Sequence, residues 1–230
     1  MTERDRRELK VCGLARVADM RGAEAAGADF CGFIVQIPRS PRSLTREQVV
    51  LLARGCRARP VLVIEGMPVP DALELAERVR PAALQVHGEA PADYLRSLVD
   101  GLGGASQVWC SLGLPAEAGD RDRTVADALA RIAELSALGV SRVLLDTRTQ
   151  AGVGGSGACC DWETAAEIVR EAELPVMLAG GLSPENLREA IAATSPAAVD
   201  LSSSLESAPG CKHPARLREL GRVWREIAGE

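Results

Sequence analysis

The chain has 230 residues, 47% of them hydrophobic, and a formal net charge of −5. That length carries one sizeable core and suits an α/β barrel, while the acidic balance, without long blocks of like charge, argues against nucleic acid as a partner. The opening MTERDRRELK is charged and lacks the apolar stretch of a signal peptide, and no apolar run approaches the ~18 residues of a membrane span. A soluble, cytoplasmic protein with no membrane partner is expected.

Residues 1–8 read as a charged N-terminal extension, and the remainder alternates apolar runs with amphipathic stretches. Strands are predicted over 9–13, 30–35, 60–64, 83–86, 107–112, 142–145, 175–179 and 198–201. Helices are predicted over 17–26, 46–54, 71–79, 92–99, 125–138, 162–171, 184–193 and 214–228. Thr45 with Gln48 has the spacing of a capping box, Ser183 before Pro184 fits an N-cap with a proline at the first helical position, and Thr124 and Asp161 are further N-cap candidates. The stretch 113–123, GLPAEAGDRDR, reads as a polar exposed loop. Strand–helix alternation with mostly apolar strands predicts an α/β fold, a single (β/α)8 TIM barrel over 1–230. An open doubly wound sheet would more often carry Gly-x-Gly-x-x-Gly after its first strand, which here ends in CGLA. Aromatic residues make up only 3% of the chain, so the core is expected to be built of Ala, Val, Leu and Ile.

Seven cysteines at irregular spacing and only two histidines make a poor zinc set, and no metal site is expected. Most of these thiols should be small buried apolar groups in a reducing compartment.

In a barrel of this type the active site lies at the C-terminal ends of the strands. The polar residues falling there are Cys12; Arg39 and Arg42; Gln85, His87 and Glu89; Asp146 and Thr147; and Asp200, Ser202 and Ser203. Gly/Ser loops follow the sixth, seventh and eighth strands. Such loops offer backbone N–H groups and hydroxyls to a phosphate, although each alone also reads as a tight turn. Lys10 and Cys12 share one face of the first strand, the inward face of a barrel, where the lysine needs a carboxylate partner.

The chain resembles the phosphoribosylanthranilate isomerase family of tryptophan biosynthesis. The segments that carry the likeness are KVCGL (10–14), AGADFCGFI (26–34), SPRSLTREQ (40–48), LQVHGE (84–89), LLDT (144–147), GGSG (154–157) with DW (161–162), LAGGLSPENL (178–187) and VDLSSSLESAPGCK (199–212). The resemblance implies a cofactor-free aldose–ketose isomerase that performs an Amadori rearrangement of N-(5-phosphoribosyl)anthranilate. It puts the general base on Cys12, the general acid on Asp146, the anthranilate contact on Arg42, and a pocket-lining or loop-positioning role on His87. Phosphate contacts fall on Gly157, Gly180, Gly181, Ser202 and Ser203. The expected partner is a small phosphosugar, and the expected assembly a monomer or homodimer.

In that chemistry an acid protonates the ribose ring oxygen so that the ring opens to a Schiff base, and a base removes the proton from the adjacent carbon. A thiol is mostly protonated at neutral pH, so Lys10 is expected to support the Cys12 thiolate, and it stands among the substrate-site residues on that account. Several positions depart from the family pattern. Ser204 replaces a glycine, which raises the question of crowding or of a forbidden positive φ. Gly-Ser-Gly replaces Gly-Thr-Gly at 155–157, Cys160 replaces a phenylalanine, Lys-His-Pro stands at 212–214, Ala15 replaces a polar residue, and IEGM (64–67) lacks an aromatic and an amide. These departures leave open a paralogous isomerase acting on a modified anthranilate or another aminosugar phosphate, and a non-catalytic phosphate-ligand binder.

Overall fold

A computed structural model describes residues 7–115, 120–148 and 162–229. Eight strands form its barrel, β1 (Glu8–Val11), β2 (Phe30–Val35), β3 (Arg59–Ile64), β4 (Ala83–Val86), β5 (Gln107–Pro115), β6 (Arg142–Arg148), β7 (Val176–Leu178) and β8 (Ala198–Leu201), and a two-residue strand, Ser43–Leu44, is added in parallel to the end of β2. All neighbours pair in parallel, and β1 pairs with both β2 and β8, so the sheet closes into a barrel without edges. Eight helices surround it: α1 (Val17–Ala25), α2 (Arg46–Arg54), α3 (Val69–Val79), α4 (Ala92–Leu102), α5 (Arg121–Ala137), α6 (Trp162–Glu171), α7 (Leu187–Thr194) and α8 (Pro214–Ala228). The expected (β/α)8 architecture is the observed one.

Two hydrophobic bodies follow from closure. Outward strand residues such as Leu9, Phe33, Leu62 and Leu84 pack under the helices, whereas Phe30, Val61, Ala83, Trp109, Leu144, Met177 and Ala198 fill the lower barrel. Trp109 meets Phe30 edge to face at 5.0 Å between ring centres, so two of the few aromatics plug the barrel floor.

Thr45 and Gln48 form the expected capping box on α2. Two other helix starts differ. The Ser183–Pro184 signal opens a turn, and α7 begins at Leu187, because the Asn186 side chain accepts from the Ser183 N–H at 2.8 Å and donates to the Gly181 carbonyl at 3.0 Å. Asp120, not Thr124, caps α5 by accepting from the Arg123 N–H, which leaves Thr124 inside the helix. Asp161 lies outside the described residues. The stretch expected as a loop from 113 instead extends β5 through Pro115, since β6 also runs on and the two continue their ladder through Gly113↔Asp146 and Leu114↔Thr147. Asp146 is therefore held within a strand pair.

Candidate active site

Cys12 stands one residue beyond β1, and its backbone remains tied to the sheet. Its N–H donates to the Leu201 carbonyl at 2.9 Å, and its carbonyl accepts from Ser202 Oγ at 3.1 Å. The thiol is 7% exposed and packs with Ile37 and Val63. Gly13 follows at φ +71°, where a Cβ would lie 2.5 Å from Arg42 Cδ and 3.1 Å from Ser202 Oγ. Across β2, a Cβ on Gly32 would lie 2.8 Å from Cys12 Sγ and 3.1 Å from Lys10 Cε. Only glycine at 32 leaves room for a lysine and a thiol on the same inward face.

Lys10 does not reach the rim. It is fully buried beneath Cys12 and donates from Nζ to Asp200 Oδ2 at 2.8 Å, a pairing set by the β1–β8 register that places Lys10 opposite Asp200. Burial works against the lysine's charge, but Asp200 and then Cys12 outweigh it and hold its pKa above the ordinary lysine value. Burial pushes the Cys12 thiol up; Lys10 pulls it down, Asp200 pushes it up again, and the result stays above the ordinary thiol value. Lys10 thus acts in the expected direction without prevailing over desolvation. Asp200 is likewise pushed up by burial, against the pull of Lys10. Its Oδ1 is buried and meets no donor among the described residues.

Asp146 is half-buried on β6, separated from β1 by β7 and β8 around the ring. His87 is half-buried just after β4, with its N–H bonded to the Ile64 carbonyl at 2.9 Å. Gly180 and Gly181 make the turn after β7 at φ +83° and +65°. Ser203 is exposed at the start of the short 3-10 turn Ser203–Leu205, while Ser202 uses its hydroxyl on Cys12. Ser204 adopts no positive φ and donates to the Leu182 carbonyl at 2.6 Å, so its side chain is accommodated by a bond to the loop that follows β7. Gly157, with Cys159 and Cys160, lies outside the described residues.

Arg42 gives Nε and Nη2 to the two oxygens of Glu206 at 2.7 and 2.6 Å. Glu206 also accepts from Lys212 Nζ at 3.0 Å, and the same ammonium reaches the Ser202 carbonyl at 3.0 Å. Arg39, also on the loop after β2, pairs with Glu65 after β3 at 2.5 Å. Glu206, Lys212 and Gly32 escaped the residue-by-residue reading. A signal for the first two was present: Pro209-Gly210 lies between them, a turn dipeptide, and the hairpin Glu206–Ala208 with Cys211–Lys212 sets Glu206 opposite Lys212.

A closed parallel barrel with a thiol, a carboxyl group and buried cations at its C-terminal mouth defines a (β/α)8-barrel enzyme. The family model described as N-(5'phosphoribosyl)anthranilate (PRA) isomerase matches residues 9–222. The N-(5'-phosphoribosyl)anthranilate isomerase of Methanopyrus kandleri is 35% identical over 229 residues, covering 95% of this chain and 99% of that relative. A crystal structure of phosphoribosyl anthranilate isomerase from Thermotoga maritima superposes with a TM-score of 0.80 at 27% identity, over 96% of this chain and 100% of that one. Another, in complex with reduced 1-(o-carboxyphenylamino)-1-deoxyribulose 5-phosphate, gives 0.77 at 26% identity with the same coverage. The chain belongs to the phosphoribosylanthranilate isomerase family, and it is an isomerase.

Among the described residues, no helix is long and apolar enough to cross a membrane.

Proposed function

We propose that the protein converts N-(5'-phosphoribosyl)anthranilate to its aminoketose phosphate, the isomerisation step of tryptophan biosynthesis, with Cys12 as base and Asp146 as acid. The carrying observation is the placement of Cys12, at the end of β1 between Gly32 and Ser202, above a buried lysine and across the mouth from Asp146. The carboxyl proton of Asp146 goes to the ribose ring oxygen, the ring C–O bond breaks, and the nitrogen lone pair forms the Schiff base. The Cys12 thiolate then takes the proton from C2, those C–H electrons form the C1=C2 bond while the C=N pair returns to the nitrogen, and the resulting enolamine tautomerises to the ketone. Arg42 faces the anthranilate carboxylate and His87 lines the pocket. Gly180, Gly181, Ser202 and Ser203, with Gly157, receive the phosphate.

The test is turnover of freshly generated substrate by the purified protein. Cys12→Ala and Asp146→Asn should each lower kcat by about 10²–10⁴-fold, the usual worth of a positioned acid or base. Wild-type rates in both variants would sink the assignment.

A second reading, an isomerase for a modified anthranilate, draws on the Arg39–Glu65 ion pair at the rim, in the stretch 64–67 that lacks the aromatic and the amide of the family pattern. Failure to rescue a tryptophan auxotroph, with Cys12 and Asp146 intact, would favour it.

A further inference from the structure

The hairpin after β8 reaches over the barrel mouth and grips the loop after β2. Glu206 is 5% exposed in its side chain and Arg42 20%, so within this pair the arginine is the member that faces outward. The guanidinium gives one edge, Nε and Nη2, to the carboxylate, and among the described residues Nη1 has no hydrogen-bond acceptor. Its stem crosses Gly13, where even a Cβ would collide with Cδ. Gly210 of the hairpin packs close enough to Pro41 that a Cβ there would lie 3.0 Å from the Pro41 carbonyl oxygen. Lys212, wholly buried, braces Glu206 from the other side and ties it to the Ser202 carbonyl, while Asp19 of α1 accepts from the Lys212 N–H at 3.1 Å.

The charges do not cancel. Two cations share one carboxylate, next to the thiol. Burial pushes Glu206 up, but Arg42 and Lys212 outweigh it and keep the carboxylate ionised, with a pKa below the ordinary glutamate value. An excess positive charge beside a cavity mouth suits a second anion.

We infer that Glu206, braced by Lys212, is a positioning residue that fixes the direction in which Arg42 presents its free N–H groups to a carboxylate on the substrate. This rests on the proposed function, and it adds a reason for selecting an aminosugar phosphate whose aryl group carries a carboxylate. An unheld arginine on a loop samples many rotamers and loses that freedom on binding; here the freedom is lost on folding, before the ligand arrives.

The experiment measures dissociation constants for two unreactive ligands, reduced 1-(2-carboxyphenylamino)-1-deoxyribulose 5-phosphate and its counterpart lacking the ring carboxylate. Wild type should hold the carboxylated ligand at least about tenfold more tightly. Glu206→Gln sets an amide N–H₂ against a donor of Arg42 or Lys212. In that variant the gap should close to within about threefold, with affinity for the ligand lacking the carboxylate unchanged. Equal weakening of both ligands would show that Glu206 only supports the hairpin and would overturn the inference, as would the absence of a gap in wild type. If Glu206→Gln fails to fold, Glu206→Asp keeps the charge but withdraws it by one methylene; it should narrow the same gap, and an unchanged gap would overturn the inference. Turnover is measured separately: a wild type that binds with the expected gap but does not isomerise N-(5'-phosphoribosyl)anthranilate would retire the proposed reaction and leave the role of Glu206 standing.

Discussion

The two mouths of the barrel use the same charge arrangement to opposite ends. At the N-terminal mouth Glu8 takes one hydrogen bond from Arg59 and one from Arg142. At the C-terminal mouth Glu206 takes Arg42 and Lys212. In both, one carboxylate bridges two cations. The difference lies in what covers the cations. Arg59 sits 3.8 Å over the Phe30 ring centre and Arg142 4.7 Å over Trp109, so their faces are sealed by the aromatic floor. No ring covers Arg42 among the described residues, and its neighbour is a thiol. A cavity of about 820 Å³ opens at the sealed end, where Asp29 and Glu173 join Glu8 in balancing Arg7, Arg59 and Arg142.

The sharpest way to break this comparison is to remove each bridging carboxylate in turn. Glu8→Gln should destabilise the fold by about 2 kcal/mol, most of it from the well-buried Arg142 contact, because the half-exposed Arg59 side is screened. Turnover per folded molecule should not change. The effect carries a pH signature. Burial pushes Glu8 up, but its bonds to Arg59 and Arg142 outweigh that and hold its pKa below 4.5. A depressed folded-state pKa contributes stability that is present above the unfolded value and is lost as pH falls through the folded one. Wild type should thus lose part of its urea resistance on acidification, and Glu8→Gln should lack that part of the acid response. A loss of discrimination between the carboxylated and the carboxylate-free ligand as large as the one expected for Glu206→Gln would mean that the two ends are not separable.

What the sequence revealed, and what it hid, follows the same division between local and distant signals. The places of Cys12, His87 and Ser202 just beyond strands were readable because a strand end depends on local periodicity and on the order of the strands, whereas Asp146, expected at a strand end, lies inside the lengthened β6. The two residues of the central ion pair were both visible in the sequence, but their pairing was not, since Lys10 and Asp200 meet only when β8 closes onto β1. Arg42 and Glu206 are 164 positions apart, and their contact needs the hairpin to fold back over the mouth. The start of α7 misled for a different reason: Ser183–Pro184 is a good N-terminal signal, but the Asn186 side chain satisfies the Ser183 N–H first and ends the competition in favour of a turn. Nothing local in the sequence marks Gly32; its role needs Lys10 and Cys12 brought against it by the pairing of β1 with β2.

A smaller effect is expected within the C-terminal mouth itself. Lys10→Met removes a cation that lowers the thiol pKa, but it does not remove it alone. Asp200, left unpaired in the interior, takes up a proton instead of remaining charged, and its repulsion of the thiolate disappears with the lysine's attraction. Only the excess of Lys10 over Asp200 is lost, so the thiol pKa should rise by that excess alone. A higher pKa means less thiolate at any given pH, so the ascending limb of kcat/KM should move to higher pH. Lys10→Met with Asp200→Asn should give the same profile in a more stable protein, because neither buried charge remains. An unchanged limb in both would leave Lys10 as an ion-pair partner with no bearing on Cys12.

The smallest effect should come from Ser204, the residue whose side chain most invited suspicion. Its Oγ donates to the Leu182 carbonyl between the loops that follow β7 and β8, and its backbone lies outside the positive-φ region. Ser204→Ala should therefore cost about 1 kcal/mol, the usual worth of one hydrogen bond, and Ser204→Gly slightly more because glycine also frees the unfolded chain. Neither should lower KM. If the serine crowded the phosphate, glycine would relieve it and KM would fall while stability dropped. A stability loss without any gain in KM is expected instead, and it would place Ser204 with Glu8, among the groups that hold the barrel's ends in shape, and apart from Glu206, which aims a charge at the ligand.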